Sequence, residues 1–137
     1  MKLFDLTRAL VNIESVTGNE QACAAFLRDY LAQRSFQVEL QPVAPERSNV
    51  LAFRGTPEVV LSTHLDTVPP FFPASEDEEF IYGRGACDAK GILAAQVVAA
   101  ERLVSEGVEN FGLVFLVGEE TLSDGARVAN SSPRGAQ

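Results

Sequence analysis

Apolar residues recur along this chain in two rhythms, and the switches between them lay out an ordered series of helices and strands. Leu3, Leu6, Leu10 and Ile13 fall at spacings of three and four, which predicts an amphipathic helix over 3–13. Residues 14–18 (E-S-V-T-G) break that rhythm, and 19–34 resume it with Ala22, Ala25, Phe26, Tyr30 and Leu31 on one broad face. Residues 36–40 alternate apolar and polar, as a half-buried strand does. Residues 49–53 and 58–63 predict two more strands, divided by the turn Arg54-Gly55-Thr56-Pro57. The stretch 69–79 carries three prolines and an acidic run and reads as a solvated loop. A short strand at 80–82 and a glycine turn follow it. Residues 89–106 are apolar almost all round, which predicts a helix packed on most sides. Residues 111–117 read as a fully buried strand, and Ser123 is placed to cap a last short helix ended by Ser131-Ser132-Pro133.

Strands that alternate with helices predict an α/β fold, here a three-layer domain with a largely parallel mixed sheet between helices. In such sheets ligands gather beyond the carboxyl ends of the strands. Two apolar strands end in chemistry. Val59-Val60-Leu61 runs toward His64 and Asp66, and L-V-F-L-V-G-E-E runs into Glu119 and Glu120. Placing two acids at the end of a buried strand is electrostatically costly unless a cation receives them.

Composition narrows the function. With 137 residues, 46% of them hydrophobic, the chain suits one globular domain. A net charge of −8 argues against a sequence-independent nucleic-acid binder, which needs a basic face for phosphates. No polybasic stretch suits an anionic membrane surface, and no apolar run approaches the ~20 residues that span a bilayer. The opening Met1-Lys2-Leu3-Phe4-Asp5 puts an acid where a secretory signal would begin its apolar core. Cys23 and Cys87 lie far apart in sequence, so the expected setting is a reducing cytoplasm.

Three segments carry the candidate chemistry. In S-T-H-L-D-T-V-P-P, His64 and Asp66 lie two apart, so an extended backbone points both to one face. A metal-bound imidazole needs its second nitrogen held, which Asp66 can do; the bland alternative is a satisfied buried histidine beside a turn-forming aspartate. In G-R-G-A-C-D-A-K-G, Asp88 suits either a helix N-cap or a cation bridged by both oxygens. A P-loop fails here because Lys90 is followed by Gly91, and a dinucleotide fingerprint fails because Asp88 holds its last glycine position. Cys87 has no second histidine to activate it and reads as structural. In the third segment, Gly118 eases a turn, so one of Glu119 and Glu120 can bind metal while the other takes a proton from water that zinc acidifies from ~15.7 to about 7.

The strings S-T-H-L-D-T-V-P, Y-G-R-G-A-C-D-A-K-G and V-G-E-E, spaced 24 and 32 residues apart (64 to 88, 88 to 120), resemble the zinc-dependent aminoacylase and peptidase family. Its members include acetylornithine deacetylase, succinyl-diaminopimelate desuccinylase and glutamate carboxypeptidase. The resemblance covers essentially the whole chain. It implies that His64 binds one metal, Glu120 the other, and Asp88 bridges them. It also implies catalytic roles for Glu119 as general base and Asp66 as support of His64, with a cis bond at Asp88–Ala89. Two zinc ions are expected ~3.5–4 Å apart, with cobalt or manganese as alternatives. The implied reaction is hydrolysis of the amide bond of an N-acylated amino acid, most like acetylornithine deacetylase. Dipeptidase, carboxypeptidase and desuccinylase activities stand next.

Family members carry a further acidic ligand, a histidine ligand near the C-terminus and a lid domain through which many form homodimers. This chain has one histidine, and Asp124 lies too close behind Glu120 to replace the missing acid. The expectation is therefore the N-terminal part of a catalytic metallohydrolase domain, inactive alone and poorly soluble or partly folded. The alternative is a short non-catalytic protein or interaction module on the same scaffold.

Overall fold

A computed structural model describes residues 1–131. Helix α1 (Leu3–Val11) buries Leu6, Leu10 and Val11, and α2 (Gln21–Ala32) buries Cys23, Ala24, Leu27 and Leu31. Strands β1 (Gln37–Ala44) and β2 (Arg47–Arg54) form an antiparallel hairpin closed through Glu46, whose φ is 58°. Strand β3 (Val59–His64) follows, then a two-stranded ribbon of β4 (Ser75–Glu76) and β5 (Ile81–Tyr82). Helix α3 (Lys90–Ser105), β6 (Phe111–Leu116) and α4 (Asp124–Ser131) complete the order. The predicted helix end at 132–133 lies outside the described residues.

The four long strands lie in the order β1-β2-β6-β3. Cross-strand partners share a face, so the register writes out the core directly. Val38, Ala52, Leu113 and Leu61 make one row, and Leu40, Val50, Phe115 and Thr63 the next. Val50, Ala52, Leu113 and Phe115 belong to one buried cluster with Leu27, Leu93 and Val97. Tyr30 donates to Glu101, which ties α2 to α3 on that face. On the opposite face Asn49 donates to the Gly125 carbonyl and anchors α4.

The mixed sheet between helices stands, but it is less parallel than the strand–helix alternation suggests. Only β3 and β6 run parallel; β1/β2 and β2/β6 are antiparallel. The hairpin accounts for the difference, because a short link permits only antiparallel neighbours while the long passage through α3 permits a parallel one. Helix α3 also differs from expectation. It buries Leu93, Ala94, Val97 and Ala100, whereas Ile92 is 51% exposed, so among the described residues one face alone is packed. Strand β4 lies inside the acidic run read as loop. Its ribbon is held by Asp77, which accepts from the Glu79 and Phe80 amides and the Tyr82 hydroxyl. No helix among the described residues is long and apolar enough to cross a membrane.

Two predictions follow from this packing. A Cβ at Gly125 would sit 2.3 Å from the Val117 carbonyl oxygen and 2.5 Å from Asn49 Oδ1, so Gly125→Ala must push α4 off the sheet. Its expected cost is about 1–3 kcal/mol in urea unfolding, and an unchanged midpoint would refute the close approach. Both cysteines are free, Cys87 exposed and Cys23 fully buried. Burial pushes the Cys23 thiol up to about 11 from 9.0. The folded state thus holds that proton more tightly, and the stability it contributes is complete below pH 9 and lost as pH rises toward 11. A disulfide-exchange reagent at pH 8 should label Cys87 at once and Cys23 only after denaturation; rapid native labelling of both would contradict the burial.

Candidate metal centre

The parallel pairing of β3 with β6 brings the carboxyl ends of two strands side by side, and the crossover between them returns Asp88 to the same end. His64 closes β3, paired with Leu116 at the end of β6. The ladder runs one step further through the Leu65 amide, which donates to the Leu116 carbonyl. Asp66 then turns inward with no exposure. Its Oδ1 accepts from the Glu119 amide at 3.1 Å, and its Oδ2 from the Glu120 amide at 3.2 Å and the Thr17 hydroxyl at 2.7 Å. Burial raises the Asp66 carboxyl, but His64, Thr17 and the two amides outweigh it and hold the group below the usual carboxylate range.

His64 is 7% exposed, and its two nitrogens face different partners. Nδ1 lies 3.0 Å from the Asp66 carbonyl oxygen and 3.3 Å from Asp66 Oδ1. The nearer oxygen is therefore the backbone one, an acceptor that fixes the proton on Nδ1. Nε2 faces Asp88 Oδ1 at 2.9 Å and Glu119 Oε2 at 3.7 Å. The hydrogen bond to Asp66 overcomes partial burial, Asp88 adds to it, and the imidazole is pushed up to about 9.

Asp88 does not cap α3. Ala89 holds the cap position with no side-chain cap bond, and the Asp88–Ala89 peptide is cis. The Asp88 side chain, 72% exposed, faces His64. Lys90, 1% exposed, anchors the turn behind it by donating Nζ to the Leu10 and Ile13 carbonyls at the end of α1. Two residues past the end of β6, Gly118 takes φ 71°, a left-handed conformation that suits glycine, and the chain turns there. Glu119 and Glu120 consequently both reach the His64 side of the sheet edge instead of opposite faces.

His64, Asp88 and Glu120 each offer a ligand atom, and these atoms lie within 4.8 Å of one another. Partial burial and then the Asp88 carboxylate push Glu120 upward, with His64 opposing. Asp124 stands apart, ion-paired to Arg47 at 2.6 Å. Two contributors went unseen in the sequence reading. Thr17 sits in the E-S-V-T-G break between helices, and Lys90 at the start of a largely apolar helix. Nothing local in E-S-V-T-G marks Thr17, because a threonine in a turn commonly bonds its own backbone neighbours instead of a distant carboxylate.

Comparison with known proteins identifies the family. Residues 60–132 match the model of peptidase family M20/M25/M40, a span that holds all five residues of the centre. A probable carboxypeptidase of Aspergillus clavatus is 42% identical over 148 aligned residues, which cover 96% of this chain and 33% of that protein. The chain thus spans about a third of the length of this curated relative. A tripeptidase from Staphylococcus aureus superposes with a TM-score of 0.80 at 26% identity, covering 95% of this chain and 39% of that one. A Bacillus subtilis protein described as a dinuclear metal binding peptidase shares the fold, with a TM-score of 0.69 at 16% identity, covering 99% of this chain and 40% of that one. With the matched span covering more than half of its residues and every residue of the centre, the chain belongs to peptidase family M20/M25/M40.

Proposed function

We propose that this chain supplies the N-terminal part of a metal-dependent hydrolase centre that cleaves an amide bond in a short peptide or N-acylated amino acid. The observation that carries the reading is the convergence of His64 Nε2, Asp88 and Glu120, from three distant segments, within 4.8 Å. The donor set fits a divalent cation. One imidazole nitrogen and two carboxylates come within 4.8 Å of one another, and the partial burial and Asp88 charge that raise Glu120 both disfavour its ionised form, which a cation would favour. Mixed nitrogen and oxygen donors suit zinc, with cobalt or manganese as alternatives, and the dinuclear relative supports a pair of ions.

In this reading His64, Asp88 and Glu120 are the residues that would hold the metal. A bound ion supplies Lewis-acid polarisation of the amide carbonyl and acidifies water at the site. Glu119 is the general base: its Oε2 is 3.7 Å from His64 Nε2, and its half-exposed carboxylate can take a proton from the attacking water and pass it to the leaving amine. Asp66 acts through others, holding the Nδ1–H of His64 and the amides of both glutamates. The curated relative named a probable carboxypeptidase favours a short peptide over the N-acetyl amino acid of a deacetylase. The remaining ligands would come from the rest of a longer protein, since the alignment covers 33% of the curated relative. Two free cysteines support a cytoplasmic setting.

Calorimetric titration with Zn²⁺ tests the ligand set. Asp88→Ala should abolish binding, whereas Glu119→Gln should bind as the parent does; equal binding by Asp88→Ala would remove Asp88 from the site. In the complete enzyme, Glu119→Gln should keep its metal by elemental analysis and lose turnover by about 10²–10⁴-fold. Normal turnover of that variant would end its assignment as base.

A further inference from the structure

A second polar network lies on the far side of the Glu119–Glu120 turn, and none of the chemistry above uses it. Glu20, with no exposure, precedes α2. Arg47 grips it with both arms of its fork, Nε to Oε2 at 2.8 Å and Nη2 to Oε1 at 2.7 Å. The same guanidinium donates Nη1 to Asp124 Oδ2 at 2.6 Å. Asp124 in turn accepts from the Gly125 amide at the start of α4. One cation therefore joins the entrance of α2, the β1–β2 hairpin and the loop after β6.

This network touches the turn itself. A Cβ on Gly118 would lie 1.9 Å from Asp124 Oδ1 and 2.9 Å from Arg47 Nη2, so the Gly118 backbone packs directly on the clamp. The Ser123 amide donates to the Gly118 carbonyl at 2.7 Å and closes the loop against it. The other end of the clamp also returns to the site. Glu20 lies three residues past Thr17, whose hydroxyl donates to Asp66. Side-chain contacts and the short backbone stretches 17–20 and 118–120 together close a ring from Asp66 through Thr17, Glu20, Arg47, Asp124 and Gly118 to the Glu119 and Glu120 amides, which end on Asp66.

We infer that Arg47 is a positioning residue for the glutamate pair: with Glu20 and Asp124 it fixes the Gly118 turn from behind, while Asp66 fixes it from the front. Asp66 alone holds two amide protons and leaves the turn free to rock about them. The clamp removes that freedom and sets where the Glu119 and Glu120 carboxylates point. A planar fork is needed to serve two carboxylates at once, and a lysine ammonium cannot reproduce it.

The test is amide hydrogen exchange by NMR on the 137-residue chain, with Co²⁺ titration beside it. Arg47→Met strands a buried Glu20 charge and risks global unfolding, so the deciding variant is Asp124→Asn, which leaves the Glu20–Arg47 pair whole. In Asp124→Asn the Glu119 and Glu120 amides should exchange at least 10-fold faster, while those of Val97 and Leu113 stay within two-fold of the parent. Arg47→Lys should show the same local acceleration. Unchanged exchange at 119 and 120, or equal acceleration throughout the chain, would overturn the inference. The metal arm rests on the centre proposed above, and Co²⁺ affinity should fall about 10–100-fold in Asp124→Asn. Failure of the parent chain to bind Co²⁺ would count against the centre alone, because the exchange result decides the role of Arg47 without any metal.

Discussion

Asp66 places a carboxylate where solvent does not reach, and the surrounding segments are arranged by the donors that this charge requires. An uncompensated buried carboxylate costs several kcal/mol, while a hydrogen bond to a charged group contributes about 1.5–3 kcal/mol. The hydroxyl of Thr17, the amides of Glu119 and Glu120 and the ring of His64 together offset that penalty. These donors come from the loop before α2, the turn after β6 and the end of β3. Satisfying one side chain therefore fixes three stretches of chain against one another. The imidazole and the glutamate pair are placed by the same act.

Other buried polar groups extend this logic to the joints between helices. Lys90 finishes the carbonyls at the end of α1, and Asn49 links the Gln41 side chain, the Val117 amide and the Gly125 carbonyl. Arg47 joins Glu20 to Asp124. The apolar core sets the distance between sheet and helices, but it is nondirectional and cannot orient a loop. The polar joints supply direction. They hold Glu119, Glu120 and Asp88 around one imidazole, although these carboxylates repel one another. The fold resists that repulsion, and a divalent cation is the partner that would relieve it.

Much of the candidate site was legible because local rules exposed it. The apolar runs ending in His64 and in Glu119-Glu120 marked strand termini, and the failure of both phosphate motifs at Asp88 left cation binding or capping. Ala89 occupies the cap position, so capping is not what the Asp88 side chain does. The hairpin exceeds what the local pattern predicts, with β1 and β2 each running past the alternating segments 36–40 and 49–53. Pro42, Pro45 and Glu46 interrupt the alternation there, and the pairing across the hairpin supplies what the pattern lacks.

Local sequence determined which segments are helix or strand and which residue types stand at their ends, because burial along one element leaves a period of 3.6 or 2 in its own residues. Tertiary structure alone decided that β3 and β6 lie side by side in parallel, that Thr17 serves Asp66, and that Arg47 spans Glu20 and Asp124. Those contacts join residues 49, 27 and 77 positions apart. Hydrogen bonds across such separations leave no period in the sequence, and they exist only once the apolar core has brought their partners together.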